Sequence, residues 1–179
     1  QLAHKQAERA GKIISHLKDL VRKQGHDRAL IDINLLVRVA MNFLEDEIKR
    51  QGISLTMTLF PLPRVMACRV EIEQVLLNLY KNAIESMYSC PQRELRVSTR
   101  TTVSGDVLVA VSDTGRGVFP AEMEGLFNPF QTSKKDGLGL GLAICRTFIE
   151  NHGGRIWADP QREWGAEFYF TLPVGGIHE

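Results

Sequence analysis

The sequence predicts an α/β fold, with several strands and a few helices in one layered domain. Segments with apolar residues at helical spacing alternate along the chain with segments in which every second residue is apolar. Two segments of the second kind are joined by Ser104-Gly105-Asp106, a turn typical of β-hairpins. The chain has 179 residues, 44% of them hydrophobic, which is sufficient for one sizeable core.

The N-terminal segment stands apart from this domain. Residues 1–23 carry a narrow apolar stripe at helical spacing, formed by Ala3, Ala7, Ala10, Ile14, Leu17 and Val21. A lone helix with such a stripe needs another helix to cover it, which predicts a coiled coil or a bundle for residues 1–24. Because Gly25 ends the pattern, we expect a linker at residues 25–28 and the compact domain at residues 29–179.

The elements of the compact domain follow from periodicity and from the residues that end each pattern. Asn34 is a typical helix N-cap, and Gly52 is a typical residue just after a helix. Residues 114–140 are rich in glycine and lack periodicity, so we interpret them as a functional loop. His152 closes the last helix with two glycines and is interpreted as structural. The predicted strands lie at 29–33, 53–60, 95–103, 107–113, 155–158 and 166–172, and the predicted helices at 34–50, 69–87 and 140–151.

Composition excludes several classes of function. Lys and Arg number 22 against 21 Asp and Glu, and a net charge of +1 argues against a nucleic-acid partner. The longest apolar stretches, such as Val107–Val111, fall far short of the ~20 residues that span a bilayer, so we expect no membrane contact by this segment. Cys68, Cys90 and Cys145 form no C-x-x-C pair, which argues against a zinc site or a disulfide framework and favours a reducing compartment.

The first candidate motif is the pair Asn78 and Asn82. Four residues apart on the predicted helix 69–87, they share one face. Carboxamide oxygens there can ligate a hard cation such as Mg²⁺, which keeps its phosphates and waters. Lys81 can reach a phosphate. Taken alone, two Asn and a Lys on a helix more often form a solvated face.

The second motif is Asp-x-Gly-x-Gly, formed by Asp113, Gly115 and Gly117 at the end of a predicted strand. An Asp side chain is an acceptor that can hold an exocyclic amine, and the glycines allow a tight turn or the close approach of a ligand. The third motif is Gly-x-Gly-x-Gly at residues 137–141, just before an apolar helix, where backbone amides can cradle phosphate. Both motifs can also serve the backbone conformation alone.

All these motifs together are more specific than any one of them. Phe127-Asn128-Pro129-Phe130 stands between the second and third, and Gly165-Ala166-Glu167-Phe168 follows them. In this order they resemble the ATP-binding catalytic domain of sensor histidine kinases, in the GHKL ATPase superfamily. Residues 73–79 and 152–157 are similar to the branch of oxygen-sensing, nitrogen-regulatory and dicarboxylate-sensing kinases. Over residues 29–173, the resemblance implies a two-layer Bergerat-type sandwich, with a mixed β-sheet covered by about three helices and preceded by one helix of a dimerisation hairpin.

The resemblance implies specific roles around Mg²⁺ and the phosphates. Asn82 would hold Mg²⁺ with Asn78 beside it, and Lys81 would lie near the phosphates. Many kinases of the family carry Lys where this chain has Glu85, which is a departure usual in the branch named above. Lys134 would reach the terminal phosphate and, with the two asparagines, would form the catalytic set.

It also implies an adenine pocket and a lid. Asp113 would bind the adenine amino group, and Gly115 and Gly117 would shape the pocket. Residues 127–136 would be a mobile lid. The remaining nucleotide-binding residues implied in this way are Glu85, Thr132, Ser133, Gly137, Leu138, Gly139, Leu140 and Gly141.

The implied reaction transfers the ATP γ-phosphate to a histidine and then to an Asp of a response regulator receiver domain. None of the five histidines is followed by the acidic residue and Pro of the acceptor box, so we expect the acceptor upstream of Gln1. The implied partners are ATP, the response regulator and a second copy of the full-length protein, joined through the N-terminal helical hairpin. The implied location is cytoplasmic, with the parent protein either soluble or anchored in the inner membrane.

Two alternatives remain at this point. An ATP-gated GHKL interaction module or ATPase would use a Glu base four residues before the metal-binding Asn, but that position is Asn78 here. An anti-sigma type of serine kinase would not carry an N-terminal helix and linker similar to the sensor-kinase hairpin. Both features favour the histidine kinase.

Overall fold

In this computed structural model, the structure describes residues 28–131, 138–159 and 165–175. The helix predicted at residues 1–24 and linker residues 25–27 lie outside the described residues. The helices are α1 (Ile33–Asn42), α2 (Glu45–Arg50), α3 (Arg69–Ser86), α4 (Pro120–Met123) and α5 (Gly141–Asn151). The strands are β1 (Ala29–Ile31), β2 (Ser54–Leu59), β3 (Val65–Ala67), β4 (Glu94–Thr101), β5 (Val107–Asp113), β6 (Ile156–Ala158) and β7 (Glu167–Leu172).

Five strands form one mixed sheet in the order β2-β4-β5-β7-β6. Strand β2 runs parallel to β4, whereas the other neighbouring pairs are antiparallel. A parallel pair requires a crossover, which is supplied by the chain containing α3. Helix α3 packs between α1 and α5 and against β5. The expected two-layer sandwich, with a mixed sheet and three main helices, is confirmed.

The core lies between the sheet and these helices. Strands β4 and β7 bury every second side chain, as their period-two patterns predict. Helix α3 buries a wide apolar surface because it packs against α1 on one side and α5 on the other. The buried residues of α3 are Ile72, Val75, Leu76, Leu79, Tyr80, Ala83 and Ile84. Each large side chain buried in this way contributes about 1.5–3 kcal/mol to stability. Among the described helices, none is long and apolar enough to cross a bilayer.

The start of α1 differs from the prediction. Asp32, not Asn34, is its N-cap, and the Asp32 carboxylate accepts a hydrogen bond from the Leu35 amide at 3.1 Å. The Asn34 side chain donates to the Phe60 carbonyl at 2.8 Å and accepts from the Thr99 hydroxyl at 2.7 Å. The prediction of Asn34 as the cap is therefore wrong, because its amide instead ties α1 to the sheet.

The predicted helix 34–50 is two helices, because the chain turns at Phe43 and Leu44. The Leu44 amide donates to the Met41 carbonyl at 2.9 Å, closing a tight turn at the end of α1. Strand β3 was not predicted. It pairs with β1 in a two-stranded antiparallel ribbon outside the main sheet, and its three residues are too few to show a period.

Candidate functional site

The candidate site is built along one stripe of α3. Asn78, Asn82 and Ser86 are four residues apart and share a helix face. From Asn78 to Ser86, this stripe extends about 12 Å along the helix axis. Ser86 contacts the end of β5, whereas Asn78 contacts the start of α5. The three separate sequence motifs therefore meet along a single helix face.

One end of the stripe is organised around Asp113. This residue ends β5 and is 3% exposed. One carboxylate oxygen of Asp113 accepts a hydrogen bond from the Gly115 amide at 2.7 Å. It also lies 2.9 Å from the Ser86 hydroxyl, whose single proton it shares with the Ala83 carbonyl at 2.7 Å. The backbone amide of Asp113 donates to the Ala166 carbonyl at 2.9 Å. Both ends of this residue are thus fixed, and its carboxylate is held in one orientation.

The glycines around Asp113 are required by close packing. A Cβ atom at Gly115 would lie 2.1 Å from the Ser86 hydroxyl oxygen and 2.7 Å from the Asp113 carboxylate. A Cβ atom at Gly165 would lie 1.9 Å from the Asp113 carbonyl oxygen, and one at Gly117 would lie 2.8 Å from the Gly165 carbonyl oxygen. Gly117 and Gly165 also have positive φ angles of 77° and 74°. Larger residues at these positions would displace Asp113 or its supports.

The other end of the stripe contacts the first turn of α5. The Asn78 amide donates to the Gly141 carbonyl at 3.4 Å, a long hydrogen bond. The Cys145 thiol of α5 donates to the Val75 carbonyl of α3 at 3.9 Å. Burial raises the pKa of this thiol to about 12, and the neighbouring Asn78 side chain opposes the shift only in part. Cys145 is therefore a neutral group that packs against Asn78.

The glycine-rich segment before α5 contains two leucines that pack against the core and glycines that have no side chain. The Leu140 side chain is buried in the core and that of Leu138 is half-buried against it, so only their backbones can face a nucleotide. Gly139 has a φ of 65°, and its carbonyl accepts a hydrogen bond from the Phe130 amide at 3.0 Å. A Cβ atom at Gly139 would lie 2.7 Å from the Gln131 carbonyl oxygen. This contact places Gly139 against the backbone of Phe130 and Gln131.

Several predicted residues lie outside the described residues, namely Thr132, Ser133, Lys134 and Gly137. Residues 127–131 at the start of the predicted lid are described. Phe127 is half-buried, whereas residues 128–131 are exposed. The Phe127 ring meets Phe168 edge-on, with ring centroids 6.5 Å apart. Phe130 is 66% exposed and has a φ of 66°, a left-handed conformation that is uncommon outside glycine.

Lys81 and Glu85 lie on the flank of the asparagine stripe that faces α2. Glu85, seven residues after Asn78, is at the edge of that stripe. Both side chains are exposed. Together with Tyr88 they line a cavity of about 500 Å³ between the end of α3 and the α1–α2 turn, where Phe43 is also part of the wall. Among the described residues, no group of three or more His, Cys, Asp or Glu side chains could hold a metal ion.

Two residues of the site were not among the predicted ligands. Ser86 supports the Asp113 carboxylate, and extending the Asn78–Asn82 spacing by four residues would have found it. Gly165 lies against the backbone of Asp113. Gly165 belongs to the last sequence motif, but the sequence does not show which distant strand its backbone contacts.

The fold and the site together define a nucleotide-binding domain of a known class. The model of the family described as histidine kinase-, DNA gyrase B- and HSP90-like ATPases matches residues 68–176. The chain belongs to this family, and its relatives are the catalytic ATP-binding domains of sensor histidine kinases.

Three relatives illustrate the similarity. The sensor protein FixL of Bradyrhizobium diazoefficiens is 41% identical over 174 residues, covering 96% of this chain and 34% of FixL. The solved catalytic domain of the histidine kinase ThkA is 34% identical, with a TM-score of 0.75 over 83% of this chain and 96% of that domain. ThkA in complex with the response regulator protein TrrA gives a TM-score of 0.81 at 28% identity, over 97% of this chain and 50% of that chain. The chain spans about a third of the length of the curated relatives it matches.

Proposed function

We propose that this chain is the part of a two-component sensor kinase that binds ATP and presents its γ-phosphate to a histidine of the same protein. The acceptor would come from a segment with a histidine box, which this sequence lacks. The phosphoryl group would then pass to an Asp of a response regulator. We place this activity in the cytoplasm, where ATP and a response regulator would be available.

The observation that carries the proposal is the buried and doubly supported Asp113. An ionised carboxylate can accept about four hydrogen bonds, so Asp113 can hold the Ser86 hydroxyl, the Gly115 amide and an exocyclic amine together. Adenine presents such an amine on its Watson–Crick edge, whereas guanine presents a carbonyl at the same place. An acceptor fixed in one orientation therefore favours adenine.

The phosphates would lie towards the other end of the stripe, against the backbone of residues 138–141. Amides at the start of a helix favour anions, and α5 starts at Gly141. Lys134 would reach the terminal phosphate, as the resemblance implies. In phosphoryl transfer the protein mainly positions the reactants and offsets charge, and these groups are suited to that task.

The donor set fits Mg²⁺ in part. Mg²⁺ takes few protein ligands and keeps phosphate and water oxygens, so one or two carboxamide oxygens suffice. Asn82 is half-buried in the middle of the stripe, and the resemblance implies that its carboxamide oxygen would hold Mg²⁺. The Asn78 amide nitrogen donates to the Gly141 carbonyl. When bound, Mg²⁺ would offset phosphate charge. Asn78 is then mainly a link between α3 and α5.

One relative supports a response regulator as the partner in this proposal. ThkA was solved as a histidine kinase in complex with a response regulator protein, and this chain is similar to it over almost its whole length. We therefore propose a receiver domain as the partner of the parent protein. We further propose that two copies of the parent associate through the helical hairpin to which residues 1–24 would belong.

Calorimetry with ADP and Mg²⁺ tests nucleotide binding. We expect micromolar to millimolar affinity, and about 2–3 kcal/mol of added stability at saturating ligand. Incubation with labelled ATP should label the chain itself poorly, but should label an added hairpin domain that carries the acceptor box of a related kinase. Absence of both heat of binding and thermal shift would contradict the proposal. Binding without transfer to any histidine box would favour the ATP-gated module instead.

A further inference from the structure

His152 lies directly after α5, at the end of that helix distant from Gly141. It is 3% exposed and is the only histidine among the described residues. One ring nitrogen, Nε2, is 2.9 Å from the Cys68 amide nitrogen, and the other, Nδ1, is 2.7 Å from the Phe148 carbonyl oxygen. A backbone amide can only donate and a carbonyl can only accept. The ring must therefore be neutral, with its proton on Nδ1.

The His152 imidazole contacts the N-terminus of α3 and the C-terminus of α5. Cys68 is the N-cap residue of α3, and no side chain of its own segment caps that helix. Its amide is one of the four N–H groups that a helix N-terminus leaves without an internal partner, and His152 Nε2 accepts from it. On the other side, Nδ1 donates to a carbonyl in the last turn of α5. His152 is a shared cap that joins two helices.

The same two helices are joined again at the candidate site. The chain from Cys68 to Asn78 covers about 15 Å of α3, and the chain from Gly141 to His152 covers about 16 Å of α5. Asn78 binds the Gly141 carbonyl at one end, and His152 binds the Cys68 amide at the other. Because the contact at the site is long, at 3.4 Å, the shorter bond to His152 is the better defined of the two.

From these contacts we infer that His152 is a positioning residue, which fixes α5 relative to α3 and so sets the placement of Gly141 against Asn78. The inference rests on the proposed function, since it assigns the phosphate end of the nucleotide to the contact between α3 and α5. Loss of the shared cap would let α5 slide or rotate on α3. The phosphate contacts would change, whereas the surroundings of Asp113 would not, because Asp113 and Gly115 belong to other segments and Ser86 lies at the end of α3 distant from Cys68.

The tautomer provides a direct test that needs no nucleotide. Long-range ¹H–¹⁵N spectra of the chain distinguish a proton on Nδ1 from one on Nε2. We expect one buried histidine with the proton on Nδ1 at neutral pH, assigned by its loss in His152→Phe. Glu71 lies on the same side, with a carboxylate oxygen 3.6 Å from Nδ1, which is consistent with a proton there. A proton on Nε2, or a ring protonated on both nitrogens, would overturn the inference.

Variants distinguish a role of His152 in positioning α5 from a role in stability alone. His152→Phe keeps a ring but removes both hydrogen bonds, whereas His152→Asn retains one donor and one acceptor. Val107→Ala is the matched control, since it opens a cavity in the core at the end of β5 opposite Asp113. All should be measured well below their unfolding midpoints, by calorimetry for ADP and by NMR titration for adenosine.

We expect His152→Phe to weaken ADP binding about tenfold while adenosine binding stays within about twofold. His152→Asn should recover part of the ADP affinity, and Val107→Ala should lower the unfolding midpoint without changing either affinity. A folded His152→Phe that binds ADP as the unaltered chain does would overturn the positioning role. If the unaltered chain itself bound no ADP, the proposed function would fail instead.

Discussion

The two ends of the candidate site are built in different ways. At the Asp113 end, three segments distant in sequence interlock through side-chain and backbone contacts, with Ser86 and Gly115 bonded to one carboxylate oxygen at 2.9 and 2.7 Å. At the Gly141 end, the Asn78 amide donates to the Gly141 carbonyl over 3.4 Å, and the segment before α5 is rich in glycine. The Asp113 end, where we propose that adenine binds, is thus fixed before any ligand arrives.

This difference suggests how recognition and chemistry are divided. A fixed acceptor in a buried pocket loses no conformational entropy on binding, so it suits selection of one base. A phosphate end made of backbone amides suits a ligand whose charge and length change during the reaction. Variants at the first end should therefore alter which nucleotide binds, and variants at the second should alter how ATP differs from ADP.

The largest effect is expected for Asp113→Asn. The new amide oxygen would remain with the Gly115 amide and the Ser86 hydroxyl, which turns the amide N–H groups towards the adenine amine. Replacing a charge-assisted hydrogen bond by two opposed donors should weaken ADP binding by roughly 10- to 150-fold, about 1.5–3 kcal/mol. Calorimetry provides the measurement, and Asp106→Asn in the hairpin turn serves as the control. Equal affinity of the unaltered chain for ATP and GTP would sink the assignment.

A smaller effect is expected for Lys134→Ala at the other end. It should weaken ATP binding about fivefold, the value of a solvent-screened ion pair, and should leave adenosine binding unchanged. The neighbouring Lys135→Ala, with the same change of charge, is the matched control. Hydrogen exchange around residues 131–136 should also slow with a non-hydrolysable ATP analogue, and less so with ADP. Identical exchange with and without nucleotide would require the lid role to be withdrawn.

Ser86→Ala sharpens the description of the adenine end. The Asp113 carboxylate keeps the Gly115 amide but loses the hydroxyl donor, so its orientation is less fixed. We expect ADP and adenosine to bind about threefold more weakly, in line with one hydrogen bond of ~0.5–1 kcal/mol. Ser89→Ala, on the exposed turn after α3, should have no effect. A loss confined to ADP would place Ser86 at the phosphate end and contradict the division.

The smallest effect is expected for Lys81→Ala. Although the sequence motif places this residue near the phosphates, its side chain lines the cavity towards α2, with Glu85 and Tyr88. We expect less than a twofold change in ATP affinity, as for an exposed and screened charge. If the loss matched that of Lys134→Ala in the same titration, the phosphate end would extend into this cavity.

Much of the fold could be predicted because its long elements have clear periods. The pattern at 69–87 predicted α3 within one residue at its C-terminal end, and the turn at Ser104-Gly105-Asp106 predicted the hairpin of β4 and β5. The cap of α1 could not be decided from sequence. Asp32 and Asn34 are both good caps, and only the distant Thr99 and Phe60 determine that Asn34 is used elsewhere.

The site was predictable in its composition but not in its geometry. The motifs gave Asn78, Asn82 and Asp113 because their residue types and order are distinctive. Periodicity alone did not show that the Lys81 side chain lines a cavity, because the neighbours that form the cavity come from α2. Contacts such as the one between Gly165 and Asp113 depend on pairing across strands far apart in the chain, which local patterns do not contain.

The pairing of the central sheet has a consequence for how the chain folds. Strands β4 and β5 are joined by a short turn and can pair early. The other two pairings bring together residues far apart in the chain, with Ser54 opposite Glu94 for β2 and β4, and Val107 opposite Leu172 for β5 and β7. Closing such long loops is slow. The Gly165 support of Asp113 arrives with β7, so the adenine end is completed only when the last long-range strand docks. Adenine nucleotides would then bind only to fully folded molecules. They would therefore shift the folding equilibrium towards the complete domain.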